Sequence, residues 1–156
     1  MWYSKIINGD IMIKINNLTK IYKSKKTGDV VALNDISFTL PDTGMVFVIG
    51  KSGSGKSTLL NLIGGLDTIT SGEINADGID IKSLDDKGFD KYRSSYLTFV
   101  FQDYKLFEGL TVKENVQVGL DITNSYNEKL VLDAIEKVGL KGYEKRYPHQ
   151  LSGGEQ

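Results

Sequence analysis

Gly50-Lys51-Ser52-Gly53-Ser54-Gly55-Lys56-Ser57 carries the clearest chemistry in the sequence. It fits the pattern G-x-x-x-x-G-K-[ST] at every defined position. Glycines at this spacing let the backbone fold tightly enough for successive N–H groups to converge on phosphate oxygens. A helix opening directly after the loop adds the partial positive charge of its N-terminus. In such a loop Lys56 reaches the β- and γ-phosphates and Ser57 Oγ ligates Mg2+, while Gly50, Ser52, Gly53, Ser54, Gly55 and Thr58 line the cradle. The flanks suit this reading. An apolar β-type run, Met45–Ile49, enters the loop, and the helix-compatible run Thr58–Ile63 leaves it. The pattern implies binding of ATP or GTP.

Other candidate groups are less specific by themselves. Leu151-Ser152-Gly153-Gly154-Glu155-Gln156 read alone is a solvent-exposed serine-glycine turn. Gln102 and Asp103 follow the apolar run Leu97–Phe101, either as an ordinary polar strand end or as a degenerate acidic strand with Asp103 on magnesium. Tyr22 is one of eight tyrosines, and His149 is the single histidine, which we read as structural. With no cysteine and one histidine, disulfide scaffolds, thiol catalysis and Cys- or multi-His metal sites are excluded.

Taken in order, the phosphate loop and Leu151–Gln156 resemble the Walker A and signature motifs of ATP-binding cassette (ABC) ATPases, and the likeness runs from Met12 onward. The resemblance implies an α/β P-loop NTPase of ABC type. Its parts are an N-terminal antiparallel β subdomain, a core parallel sheet and a helical subdomain at roughly residues 103–150. Residues 12–156 then form a partial ATP-binding domain, and residues 1–11 an N-terminal extension. Site roles follow position by position. Gln102 takes the place of the Q-loop glutamine that senses Mg2+ and the attacking water, in a loop that touches the membrane partner. Tyr22 takes the place of the adenine-stacking aromatic. Ser152, Gly153 and Gly154 act in trans on the γ-phosphate held by a second ATP-binding domain in a head-to-tail dimer.

Val31–Phe38, Gly50–Asp67, Phe99–Leu106 and Leu110–Val116 look like the lipoprotein-releasing, macrolide-export and antimicrobial-peptide-resistance branch. The implied function is the motor subunit of an ABC transporter. It binds ATP and Mg2+ and is held by a transmembrane permease at the inner face of the cell membrane. A soluble ABC ATPase acting on the ribosome, or a nonfunctional truncated product, is the alternative. The acidic Walker B pair and the switch histidine of the family follow the signature. The chain therefore reads as a fragment that ends at the signature, binds nucleotide and is hydrolytically incomplete.

These residues need elements to hold them. The 156 residues are 40% hydrophobic, enough for a core, and 19 Lys+Arg against 20 Asp+Glu exclude an electrostatically driven nucleic-acid binder. No apolar run approaches the ~20 residues of a membrane-spanning helix, and the first ten residues do not form a signal peptide. Ile11, Ile13 and Ile15 alternate with polar neighbours as in a half-buried strand. Val30–Leu33 and Ile36–Leu40 read as further strands beyond a turn at Lys23–Asp29. Met45–Ile49 and Leu97–Phe101 read as buried strands, the former covered on both faces. Asp77-Gly78 predicts a hairpin, and helices are expected at Ser57–Gly64 and about Asp86–Ser94. Thr111 with Glu114 is a capping box opening a helix to about Val118. Asn127 or Ser125 caps another, with Pro148 ending the helical region.

Overall fold

The computed structural model of the chain describes residues 13–26, 28–122 and 127–156. Ile11, Met12 and Ser125, named above, lie outside them. The chain divides after Thr98 into two compact units.

The first unit is built on a four-stranded antiparallel sheet of order β2-β1-β3-β4. Its strands are β1 (Ile13–Tyr22), β2 (Val30–Leu40), β3 (Ser71–Ala76) and β4 (Ile79–Asp80). Asp77 and Gly78 join β3 to β4 with φ of 50° and 81°, the left-handed pair that a two-residue hairpin requires. The two runs expected after the first turn are one strand, since β2 continues through Asn34 and Asp35 past an irregularity in its pairing with β1. Asp35, at φ 51°, absorbs the distortion, and its carboxylate accepts from the Asn17 amide at 2.8 Å.

Helix α1 (Lys56–Ile63) lays Leu59, Leu62 and Ile63 into the core, the i, i+3, i+4 stripe of a half-buried helix. There they join Ile15, Leu18, Leu33, Ile74 and Ile81. Asp85 caps α2 (Asp86–Tyr96) by accepting from the Gly88 amide. Tyr92 on α2 is buried and donates to the Ile63 carbonyl at 2.9 Å, and burial pushes its phenol up to about 12.

Two expected strands are not formed. Met45–Ile49 makes no sheet pairing, and Met45, Phe47 and Ile49 are 79%, 75% and 90% exposed. Leu97–Phe101 is likewise outside any strand, and Val100 is 96% exposed. A strand of the interior needs neighbours on both edges to take its amides and carbonyls. Among the described residues nothing pairs with either segment, and all sheet pairing is antiparallel.

Lys20 was not foreseen as a core residue. It is 5% exposed on β1, and its ammonium meets Asp67 Oδ1 at 2.5 Å and the Thr68 carbonyl at 2.6 Å. The pair ties β1 to the segment that follows α1. Burial alone would raise the Asp67 carboxyl. The hydrogen bonds from Lys20, from the Tyr22 hydroxyl and from the Thr68 amide outweigh burial and hold it below the usual carboxylate range.

The second unit pairs helices α3 (Val112–Ile122) and α4 (Glu128–Lys137) around Val112, Val131 and Ile135. Both expected caps are present. Thr111 and Glu114 bond reciprocally, and Asn127 accepts from the Lys129 amide. Helix α4 stops well before Pro148, at Val138 and a left-handed Gly139 with φ 80°. Pro148 instead opens a short 3-10 turn, Pro148–Gln150, because proline's fixed φ and missing N–H suit a first helical position.

Two outcomes follow. Gly72 sits at φ 86°, and a Cβ there would lie 2.6 Å from the Asn17 carbonyl carbon. Gly72→Ala therefore combines backbone strain with a main-chain clash and should cost about 3 kcal/mol. Gly28→Ala, at φ 80° in open space, should cost only about 1 kcal/mol. Urea unfolding midpoints compare the two. The second outcome concerns Asp67, whose folded value is depressed. Its contribution is complete above the ordinary carboxylate value of about 3.9 and is lost as pH falls through the lower folded value. Wild type should exceed Asp67→Asn by about 2 kcal/mol at neutral pH, and the gap should close on acidification. A gap that is constant with pH would contradict this.

Candidate functional site: a phosphate loop at the start of helix α1

The loop Gly50–Gly55 turns through two left-handed glycines, Gly53 at φ 78° and Gly55 at φ 86°. Gly55 is the N-cap of α1 and offers no side-chain cap, and the first turn holds no acidic residue. The first main-chain bond at this end runs from the Leu59 amide to the Gly55 carbonyl at 2.8 Å. The amides of Lys56, Ser57 and Thr58 thus have no main-chain acceptor, the ordinary condition of a helix start. What differs from an ordinary start is that no side chain among the described residues serves them either. They form a row of donors at the positive end of the helix, a site suited to an anion.

Two glycines are required by space as well as by φ. A Cβ on Gly50 would come within 2.6 Å of Ser54 Oγ, which would close the inside of the loop. A Cβ on Gly55 would lie 2.5 Å from the Ala32 carbonyl oxygen and 2.8 Å from Leu33 Cδ2. Strand β2 therefore backs directly onto the loop. Lys56 Nζ folds over it and donates to the Gly50 and Lys51 carbonyls at 2.9 and 2.7 Å. These bonds hold the ammonium at the mouth of the loop. The donor set of amides, ammonium and the Ser57 hydroxyl fits a polyphosphate with its magnesium ion.

Tyr22 ends β1, opposite Val30 of β2. Its hydroxyl donates to Asp67 Oδ2 at 2.6 Å, the Lys20 ammonium lies over its ring 4.8 Å from the centroid, and the side chain is 41% exposed. Tyr22 and the phosphate loop belong to the first unit, Gln102 and Ser152–Gly154 to the second. Gln102 is exposed in a turn outside any strand. Its neighbour Asp103 pairs with Lys105 at 2.5 Å, so the degenerate acidic-strand reading loses both its strand and its free carboxylate.

At the C-terminal motif, Glu155 Oε2 accepts from both the amide and the hydroxyl of Ser152, each at 2.7 Å. The Ser152 amide and hydroxyl bonds hold the Glu155 carboxyl below its usual range. Gly153 leaves room for the Tyr104 hydroxyl, which a Cβ would approach to 2.9 Å. His149 stacks on Tyr147 with centroids 5.8 Å apart, in keeping with a structural role.

Two supporting residues escaped sequence reasoning. Asp67 lies four residues beyond α1 and has no motif of its own. Asn115 holds the loop before α3. Its side-chain amide donates to the Phe107, Leu110 and Thr111 carbonyls at 3.0–3.1 Å, and its oxygen accepts from the Phe107 amide. An asparagine one residue past a capping-box glutamate, with a loop carbonyl in reach of the first helical turn, is the signal that could have found it.

Known proteins bear on this geometry. The profile of the ABC transporter family matches residues 33–156. The Bacillus subtilis (strain 168) ABC transporter ATP-binding protein YtrE is 37% identical over 91% of this chain and 63% of its own length. The aliphatic sulfonates import ATP-binding protein SsuB of Bacillus cereus (strain ZK / E33L) is 42% identical over 91% of the chain and 53% of its own. A putative ABC transporter ATP-binding protein, MG065 of Mycoplasma genitalium, is 33% identical over 96% of the chain and 32% of its own. The chain thus spans between about a third and two thirds of these curated relatives. Among solved structures, the dimeric post-hydrolysis state of the ATP-binding cassette MJ0796 bound to ADP and Pi superposes with a TM-score of 0.81 at 36% identity. That alignment covers 92% of this chain and 64% of the other. With a phosphate loop built from its own residues and a family match over most of its length, the chain belongs to the ABC transporter family, as part of an ATP-binding cassette of α/β P-loop type.

Proposed function

We propose that this chain supplies the nucleotide-binding part of an ATP-hydrolysing transporter subunit. The observation that carries the proposal is the start of α1, where unserved amides and the Lys56 ammonium converge on one loop. There Lys56 neutralises the β- and γ-phosphates, and the amides of the loop and first turn orient them. Ser57 holds Mg2+, which when bound spreads the charge of the transferring phosphoryl group. Tyr22 offers its ring to adenine. Ser52, Ser54 and Thr58 complete the loop lining.

Ser152, Gly153 and Gly154 meet the γ-phosphate of a second domain in a head-to-tail dimer, a reading supported by the dimeric state named for MJ0796. The domain division proposed is residues 12–156 as cassette, with a helical part at roughly 103–150 and residues 1–11 ahead of it. No helix among the described residues is long and apolar enough to cross a membrane. We place the subunit at the inner membrane face, held by a permease. Relatives are named for import of aliphatic sulfonates and of methionine, so the substrate is set by the membrane partner.

Lys56→Ala removes the charged donor of the loop and should weaken Mg·ATP binding by about 10- to 100-fold, as expected for a charge-assisted hydrogen bond. Isothermal titration of the folded variant measures this. Gly55→Ala should be worse in both respects, since the added Cβ meets the Ala32 carbonyl. It should lower the unfolding midpoint as well as abolish binding. Unchanged ATP affinity in Lys56→Ala would place the nucleotide elsewhere.

A further inference from the structure

The geometry points to a second role for the part-buried Lys20–Asp67 pair: we infer that it is the mount that fixes the Tyr22 ring as an adenine platform. Three contacts carry this. Lys20 is 5% exposed, so its ammonium is fixed from within the fold. Asp67 divides its two oxygens, Oδ1 to Lys20 at 2.5 Å and Oδ2 to the Tyr22 hydroxyl at 2.6 Å. The ammonium also lies over the Tyr22 ring, 4.8 Å from its centroid.

A half-exposed tyrosine at the end of a strand is otherwise free to rotate about χ1 and χ2, and ordering it at the moment of binding costs about 0.5–1.5 kcal/mol. Here the hydroxyl is tethered at the far end of the ring and the cation covers one region of its surface. The ring is held before any base arrives, and its exposed part is left for stacking. Asp67 and Lys20 touch no nucleotide in this scheme. They are positioning residues that act through Tyr22, and Asp67 lies just beyond the helix whose start holds the phosphates. The pair thereby links the base platform to the phosphate loop through α1.

The inference rests on Tyr22 facing adenine, and the test separates the two ideas. The full chain is titrated with Mg·ATP and, in parallel, with Mg·tripolyphosphate, which uses the phosphate loop without a base. The readout is the ratio of the two affinities, which loss of folded protein does not move. Wild type should prefer ATP, and Tyr22→Ala should lose that preference. Tyr22→Phe keeps the ring and removes only the tether. It should reduce the ratio about threefold to tenfold, in line with the ordering cost. Asp67→Ala should reduce the ratio similarly in the wild-type background and clearly less in Tyr22→Phe, where only the Lys20 ammonium over the ring remains for Asp67 to act through.

If Tyr22→Ala leaves the ratio unchanged, the platform reading itself is wrong. If Tyr22→Ala abolishes the preference while Tyr22→Phe retains it in full, the platform stands and the mount is overturned. An equal loss on Asp67→Ala with and without the hydroxyl also overturns it. Should Asp67→Ala fail to fold, Tyr22→Phe alone still decides.

Discussion

A helix start leaves amides without partners, and here three different parts of the chain converge on how that debt of hydrogen bonds is left open. Gly55 takes the left-handed turn and, as a glycine, brings no side chain to cap the helix, and the first turn carries no carboxylate to neutralise the helix end. Strand β2 presses so closely on Gly55 that no larger residue fits. Lys56 braces the loop from its mouth by bonding two of its carbonyls. The apolar stripe of α1 anchors the helix in the core, so the donors point outward from a rigid base. Loop shape, sheet position and helix packing are therefore one arrangement, and an oxyanion is what its open donors are suited to receive.

Local chemistry was readable in the sequence wherever a few adjacent residues decide the outcome. Asp77-Gly78 makes its hairpin because both positions tolerate positive φ. Thr111 with Glu114, and Asn127, cap their helices because the partners lie within three residues. The apolar runs Met45–Ile49 and Leu97–Phe101 show the opposite case. Their composition states a preference for strand, but a strand exists only when distant segments supply its hydrogen bonds, and no described residue does so. The period-2 reading of β1 holds where it was made, with Ile15 buried and Lys14 exposed, but it does not carry through the whole strand. Asn17, at φ 47°, interrupts the register, so burial falls on Ile15, Leu18 and Lys20 rather than on alternate positions.

The candidate site divides along the same line. The residues of the phosphate loop are contiguous, and their spacing alone identified the amides and the lysine. Tyr22, Gln102 and Ser152–Gly154 were legible only through likeness to a family, because each is a common residue whose role is set by what comes near it. Asp67 falls inside the family-like run Gly50–Asp67, but its role was visible by neither route. Its two partners lie 45 and 47 residues away, on the strand β1 far ahead of it in the chain. Buried ion pairs that depend on such long-range contacts have no local signature, and their stabilising effect depends on every donor being matched.

Asn115 has a consequence for how the second unit can move. Its side chain closes the segment from Phe107 to Thr111 onto the first turn of α3, while the Val112 and Lys113 amides reach the Arg146 and Glu144 carbonyls. Such a segment has few free torsions left. Residues 107–115 are mechanically a rigid link rather than a hinge. A load on Phe107, which is 57% exposed, would therefore bear on the first turn of α3 and on the Glu144–Arg146 backbone bonded to it.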